Sequence, residues 1–348
     1  MKTLASVLAR PGRIAEFAPQ QWQALIREAR QARMMDRLRS VLVREAPDMP
    51  LPSVVAEVFD GTHRYVEYLQ HRARYEVSRL CSVAEAVDYP VVLLKGAAYV
   101  VEGIPAGEGR GLSDIDVLVP HASLTDAERH LTAGGWRFTE DLDAYDNYYY
   151  RELAHELPPM RHPDRHFELD VHHGIIQPTH RLKPDSARWF EDALPLGDTA
   201  FYRLSRRDQV LHSATHLFMS DELRGGLRDL HDIVLLCREG EAEAEDFWGR
   251  LVERAGEQGL QRPLHYAIHC AQRGLGLRVP GSIQAGLDSL RPRGLAARFA
   301  ETLFLRRFFS PPTDRLAGLT DTLLYWRSHW IRMPPGLLLR HLSRKALS

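Results

Sequence analysis

The sequence predicts an α+β protein in which a mixed β-sheet core is flanked by N-terminal helices and followed by a C-terminal helical bundle. Two patterns lead to that expectation. Apolar side chains recur at helical spacing through residues 1–88 and again after Ser205. Between these stretches, short apolar runs end in glycine turns, and one segment alternates with the period of a strand. A chain of 348 residues exceeds one ordinary domain. Three units are expected: a helical layer over 1–88, the core over 89–203 and a helical domain over 204–348.

In the first unit, Trp22, Leu25, Ile26 and Ala29, then Leu38, Val41 and Leu42, fall on helical faces with charges between them. Pro47, Pro50 and Pro52 must break the pattern, after which Val54 to Ala86 reads as one long helix ending near Asp88-Tyr89-Pro90. The run Val91–Leu94 is a strand that stops at Lys95-Gly96 and gives way to a short helix. A second apolar run, Ser113 to Val119, is a strand interrupted by Asp114 and Asp116. Ser123 or Thr125 can cap the next helix, acidic in its first turn at Asp126 and Glu128 and stopped by Gly134-Gly135. Residues 136–150 are aromatic and acidic. In 164–176 the alternation places Phe167, Leu169 and Val171 on one face and Glu168, Asp170 and His172 on the other, on a strand expected beside that of Asp114. Pro178, Pro184 and Pro195 mark a connector, and amphipathic segments with glycine stops then form the bundle.

Composition excludes several classes. Lys and Arg total 45 against 46 Asp and Glu, so at a net charge of -1 there is no global attraction to nucleic acid or anionic membrane, and duplex DNA is not an expected partner. No run approaches a membrane span and no signal-peptide core follows Met1, so a cytoplasmic protein is expected. Cys81, Cys237 and Cys270 lie far apart among apolar or helical neighbours and read as buried thiols of a reducing compartment. The 17 histidines, including His155, His162, His166, His172 and His173, show no H-E-x-x-H spacing, and no C-x-x-C is present, so zinc is not expected. His212 and His216, four apart, read as a packed pair. Asp229 and Asp232 are expected to pair with Arg224 or Arg228, or to hold an acceptor substrate. The basic, aromatic tail from Leu323 to Ser348 is expected to pack on its own bundle with its arginines reaching solvent.

The chemistry sits in Val91–Val119. Asp114 and Asp116, two apart on a strand, project to the same face with Cα atoms about 7 Å apart. Two carboxylates on a buried strand need a cation between them, and a divalent metal serving a phosphate-bearing substrate is the candidate. Lys95 and Arg110 are near enough in sequence to supply positive charge to phosphates, and Gly96 opens a helix whose free N–H groups suit an anion. Ser113 can add a hydroxyl.

Taken together, LLKGAA, RGLSDIDVLV, FELDVHH and the later LRDLHDIVLL resemble the DNA polymerase beta-like nucleotidyltransferase superfamily, and within it a largely uncharacterised bacterial nucleotidyltransferase family. The resemblance covers Val91 to Ile176 well and runs weakly on to Gly276. It implies transfer of a nucleoside monophosphate from a nucleoside triphosphate, ATP among the candidates, to a hydroxyl on a small molecule, a protein or an RNA end. It implies Asp114, Asp116 and Asp170 as the catalytic, metal-holding set for Mg²⁺ or Mn²⁺, with Glu168 as the alternative third ligand. Lys95, Gly96, Arg110 and Ser113 are the implied nucleotide contacts. This chain departs from the wider pattern at Lys95-Gly96-Ala97, where the superfamily usually carries G-G or G-S, and at His172-His173, where the closer family often shows H-W. Two rival expectations are a toxin-like enzyme acting on transfer RNA and a non-catalytic nucleotide-binding or scaffold protein that keeps the fold.

Overall fold

The computed structural model describes residues 2–220, 223, 225–310, 314–332, 334 and 336. Four helices come first: α1 (Lys2–Ala9), α2 (Pro19–Gln31), α3 (Met35–Glu45) and α4 (Ser53–Glu85). The proline segment separates α3 from α4, and the apolar positions of α4 run its full 33 residues from Val55 to Ala84. Its last turns reach the sheet. Leu80 and Ala84 of α4 meet Val117, Leu169 and Val171 across an apolar seam.

The core follows: β1 (Val92–Leu93), α5 (Lys95–Glu102), β2 (Asp114–Leu118), α6 (Leu124–Ala133), β3 (Arg137–Phe138), α7 (Ala144–Tyr148), β4 (Met160–Arg161), β5 (Glu168–His172), α8 (Arg188–Glu191), β6 (Leu194–Pro195) and β7 (Tyr202–Arg203). They form one seven-stranded mixed sheet in the order β3-β4-β5-β2-β1-β7-β6. Only β2 and β5 reach five residues, and they lie side by side at its centre, parallel. Antiparallel pairs join β1 to β2, β3 to β4, β4 to β5 and β6 to β7, while β1 and β7 are parallel. Before α6 the chain makes a short 3₁₀ turn at His121–Ser123, and Ser123 caps with its backbone alone.

The remaining helices are α9 (Arg206–Met219), α10 (Gly226–Glu243), α11 (Phe247–Glu257), α12 (Gln261–Leu275), α13 (Gly281–Ser289), α14 (Leu295–Phe309) and α15 (Ala317–Arg332). Helix α9 is buried on nearly every side and is the axis around which α10, α11 and α12 pack. Helix α1 packs against α12, so the N-terminal layer and the bundle share one apolar core. Cys237 and Cys270 are buried and Cys81 is half-buried, all three as free thiols. Among the described residues no helix is long and apolar enough to cross a membrane. Arg224 and most of the tail beyond Arg332 lie outside the described residues. Within α15, Ser328 and Ile331 are buried while Tyr325, Trp326 and Trp330 stand exposed.

Candidate functional site

The site is built on the central pair of strands. In parallel register Asp114 lies opposite Glu168, Asp116 opposite Asp170 and Leu118 opposite His172. Because alternate residues of a strand share a face, Asp114, Asp116, Glu168, Asp170 and His172 project together. Ile115, Val117, Leu169 and Val171 take the opposite, apolar face and are buried. The acidic face is therefore a by-product of an ordinary buried strand pair.

Strand β1 positions the cation. The Leu94 N–H donates to the Asp116 carbonyl at 2.9 Å, and α5 begins at the next residue. Lys95 takes a left-handed backbone conformation at φ 45°, which costs a side-chain-bearing residue about 1–2 kcal/mol. From there its Nζ reaches Asp116 Oδ1 at 3.2 Å. His172 donates from Nε2 to the same oxygen at 2.9 Å. Asp116 is 8% exposed. Burial alone would favour its protonated form, but Lys95 and His172 hold the carboxyl well below its ordinary pKa.

Asp114 and Asp170 go the other way. Burial, then repulsion from Asp116, raises the pKa of Asp114. Burial, Asp116 and Glu156 push Asp170 up to about 7. More negative charge therefore converges on this face than Lys95 neutralises, which is the condition that favours a divalent cation. Glu168 is held elsewhere: it accepts from Arg161 Nε of β4 at 2.6 Å. Of the two candidate third acids, Asp170 lacks such a cationic clamp among the described residues.

Arg110 and Gly96 are tied to packing. Arg110 is buried and pairs with Asp232 of α10, with Asp229 at 3.5 Å, and Arg37 of α3 reaches Asp232 Oδ1 at 3.0 Å. Asp229 also pairs with Arg228, at 3.2 Å. Glu108, two positions before Arg110, is paired with Arg44. A Cβ on Gly96 would lie 2.6 Å from Arg110 Nε and 2.6 Å from Leu112 Cδ2, so glycine lets the Arg110 stem and Leu112 pass beneath α5. Ser113 is exposed just before β2.

Several histidines lie near the site. His172 lies between Asp116 and Glu156, whose Oε2 is 3.2 Å from His172 Nδ1. Burial disfavours a charged His172, but Glu156 and Asp116 on either side raise its pKa. His212 of α9 is buried and His216 half-buried, and both are kept neutral, His212 chiefly by burial and His216 chiefly by the charge of Lys95. The bundle thus closes over the Lys95 side of the acidic face, where the Tyr99 hydroxyl of α5 meets Ser213 Oγ of α9 at 2.8 Å. The ligand atoms of His155, Glu156 and His172 all lie within 4.8 Å of one another. The adjacent pair His155-Glu156 was the available sequence signal, but its partner lies on another strand. His173 points away, packs its ring edge against His121 at 4.8 Å, and is lowered to about 4, mainly by burial.

No curated protein matches the chain. One family model does, across residues 18–276, a span that takes in α2 to α12 and with them the whole sheet and the Arg37–Asp232–Arg110 cluster. The chain belongs to that family, whose description is uncharacterised nucleotidyltransferase.

Proposed function

We propose that the protein is a metal-dependent nucleotidyltransferase that moves a nucleoside monophosphate from a nucleoside triphosphate to an acceptor hydroxyl. The observation that carries this reading is the register of Asp116 with Asp170 beside Asp114, three carboxylates on one face next to a lysine at a helix start. The donor set suits hard divalent ions: it is all oxygen, and the raised pKa values of Asp114 and Asp170 express charge that a cation would relieve. Asp114, Asp116 and Asp170 would hold Mg²⁺ or Mn²⁺. When bound, such ions stabilise the charge of the attacking and leaving oxygens.

The chain's own residues have separable tasks. The acceptor oxygen attacks the α-phosphorus, the bond to the bridging oxygen breaks, and pyrophosphate leaves. Asp170, opposite Asp116 on the same face, is placed to take the acceptor hydroxyl's proton. Lys95 and the first N–H groups of α5, which have no partner inside the helix, face the developing charge of the pyrophosphate. To do so Lys95 exchanges its Asp116 contact for the phosphate. Arg110 acts at one remove, by holding Gly96 and Leu112 in place. The acceptor is a small molecule, a protein or an RNA end.

A second reading is nucleotide binding without transfer. It has one observation in its favour: Lys95 already satisfies Asp116 with an internal cation. The two are separated by incubating the protein with each radiolabelled triphosphate, Mg²⁺ or Mn²⁺, and cell extract, beside Asp116→Ala. Label transferred to an acceptor by the parent chain and not by Asp116→Ala supports transfer. Binding of triphosphate without transfer supports the second reading.

A further inference from the structure

We propose that His155, Glu156 and His172 form a binding site for one divalent first-row transition ion, represented by Zn²⁺, distinct from the aspartate set and linked to it through Asp116. The proposal does not rest on nucleotidyl transfer. It rests on the geometry of three side chains and on the backbone that carries them.

Glu156 Oε2 lies 3.2 Å from His172 Nδ1 and 3.8 Å from His155 Nε2. An ion bound at the usual distance of about 2.1 Å in tetrahedral geometry needs its ligand atoms about 3.4 Å apart. These two separations straddle that value and all three ligand atoms lie within 4.8 Å of one another, so rotamer adjustments bring them to one ion. Two imidazoles and one carboxylate are a borderline donor set that selects transition ions over Mg²⁺.

The second support is His172's other nitrogen. Nε2 donates to Asp116 Oδ1 at 2.9 Å, which leaves the Nδ1 lone pair facing Glu156. A carboxylate that fixes the tautomer of a histidine and aims its free nitrogen is the arrangement found behind metal-binding histidines. The third support is His155, which faces the same carboxylate through Nε2.

The ligands are also held rigidly. Glu156 and His172 form a β-bridge, Leu157 N–H donates to the Val171 carbonyl at 2.8 Å, and His173 N–H donates to the His155 carbonyl at 2.8 Å. All three ligands therefore hang from one hydrogen-bonded pair of backbone segments, which fixes their spacing before any ion arrives. A proton on His172 Nδ1 is the competing occupant, since an imidazolium would bridge Asp116 and Glu156. That arrangement uses nothing of His155, and the difference is testable.

The test is calorimetric titration of chelator-stripped full-length chain with Zn²⁺ in excess Mg²⁺, with Co²⁺ absorption as a spectroscopic check of imidazole ligation. One equivalent of Zn²⁺ is expected to bind. Glu156→Gln and His155→Asn are each expected to weaken it by at least about tenfold and to erase the Co²⁺ ligand-field band, while Asp170→Asn leaves both unchanged. Glu156 is partly exposed, so Glu156→Gln keeps the test valid should His155→Asn fail to fold. No Zn²⁺ binding, binding that survives Glu156→Gln, or binding abolished by Asp170→Asn overturns the proposal. Label transfer has no bearing on these outcomes, so this site and the transferase reading fail separately.

Discussion

Replacing Asp232 by asparagine removes the charge at the centre of a buried cluster that ties three parts of the chain together. Arg37 is 1% exposed and Asp232 2%, and their ion pair at 3.0 Å crosses from α3 to α10. Arg110, from the loop before β2, closes on the other oxygen of Asp232. Arg37 also donates from Nη1 to the Pro105 carbonyl at 3.2 Å, so the cluster grips that loop twice. Breaking a buried ion pair by removing one partner costs about 3–5 kcal/mol, because the remaining charge stays in a poor solvent. Arg110 keeps Asp229 at 3.5 Å, a half-buried substitute, and asparagine still accepts one hydrogen bond, which places the expected loss near the lower limit, about 3 kcal/mol. Urea unfolding is the assay, with the denaturant slope unchanged and the midpoint lowered. The triple replacement Arg37→Met, Arg110→Met and Asp232→Leu should recover most of the loss, since well-packed apolar groups replace buried ions at little net cost. A loss under about 1 kcal/mol for Asp232→Asn, or a triple variant no better than the single one, would refute the reasoning.

Asp170 sets a pH dependence. With its pKa raised to about 7, it binds its proton more tightly when folded than when unfolded, so metal-free stability should fall as pH rises from about 4 to about 7. Melting temperatures across that window should decline less steeply in Asp170→Asn, and an unaltered slope in that variant contradicts the assignment. Gly96→Ala places a methyl 2.6 Å from Arg110 Nε and Leu112 Cδ2, and because the salt cluster holds Arg110, a loss of about 1–3 kcal/mol is expected by urea unfolding. Lys95→Ala should reduce triphosphate affinity in equilibrium binding. Lys95→Gly, which removes the same charge but suits φ 45°, should be more stable than Lys95→Ala by about 1 kcal/mol. Equal stability of the two would show that the backbone there carries no strain.

Strand periodicity made the acidic face legible. The alternation of DIDVL and ELDVH places Asp114, Asp116 and Asp170 correctly because one face of each strand had to be apolar, and the parallel pairing of β2 with β5 matches the expectation that these strands are neighbours. The long helix expected over 54–86 is α4, whose buried positions run from Val55 to Ala84. The strand expected over 164–176 is shorter, Glu168–His172, since pairing with β2 and not hydrophobic pattern sets its limits. What remained hidden depends on contacts distant in sequence. Arg110 finds Asp232 across 122 positions, and no local spacing signals that pair. Gly96 looks like a phosphate-binding glycine, yet the atoms that would meet its Cβ belong to Arg110 and Leu112. His155, Glu156 and His172 carry no zinc-type spacing because two adjacent ligands and a third from another strand meet through sheet pairing.

The docking of α1 on α12 has a consequence for how the chain is made. Leu4 and Val7 are fully buried, Leu4 N–H donates to Glu28 Oε2 at 2.8 Å, and a Cβ on Gly276 would come within 3.4 Å of Ala9. Yet α12 ends at Leu275, more than 250 positions after α1. At about 5–20 residues per second, a ribosome needs roughly 13–50 s to supply that partner. Throughout that interval α2 can already cover part of α1, while the face that meets α12 stays open to chaperones or to other nascent chains. Once α12 emerges, α1 clamps it, and two segments far apart in the chain latch one another.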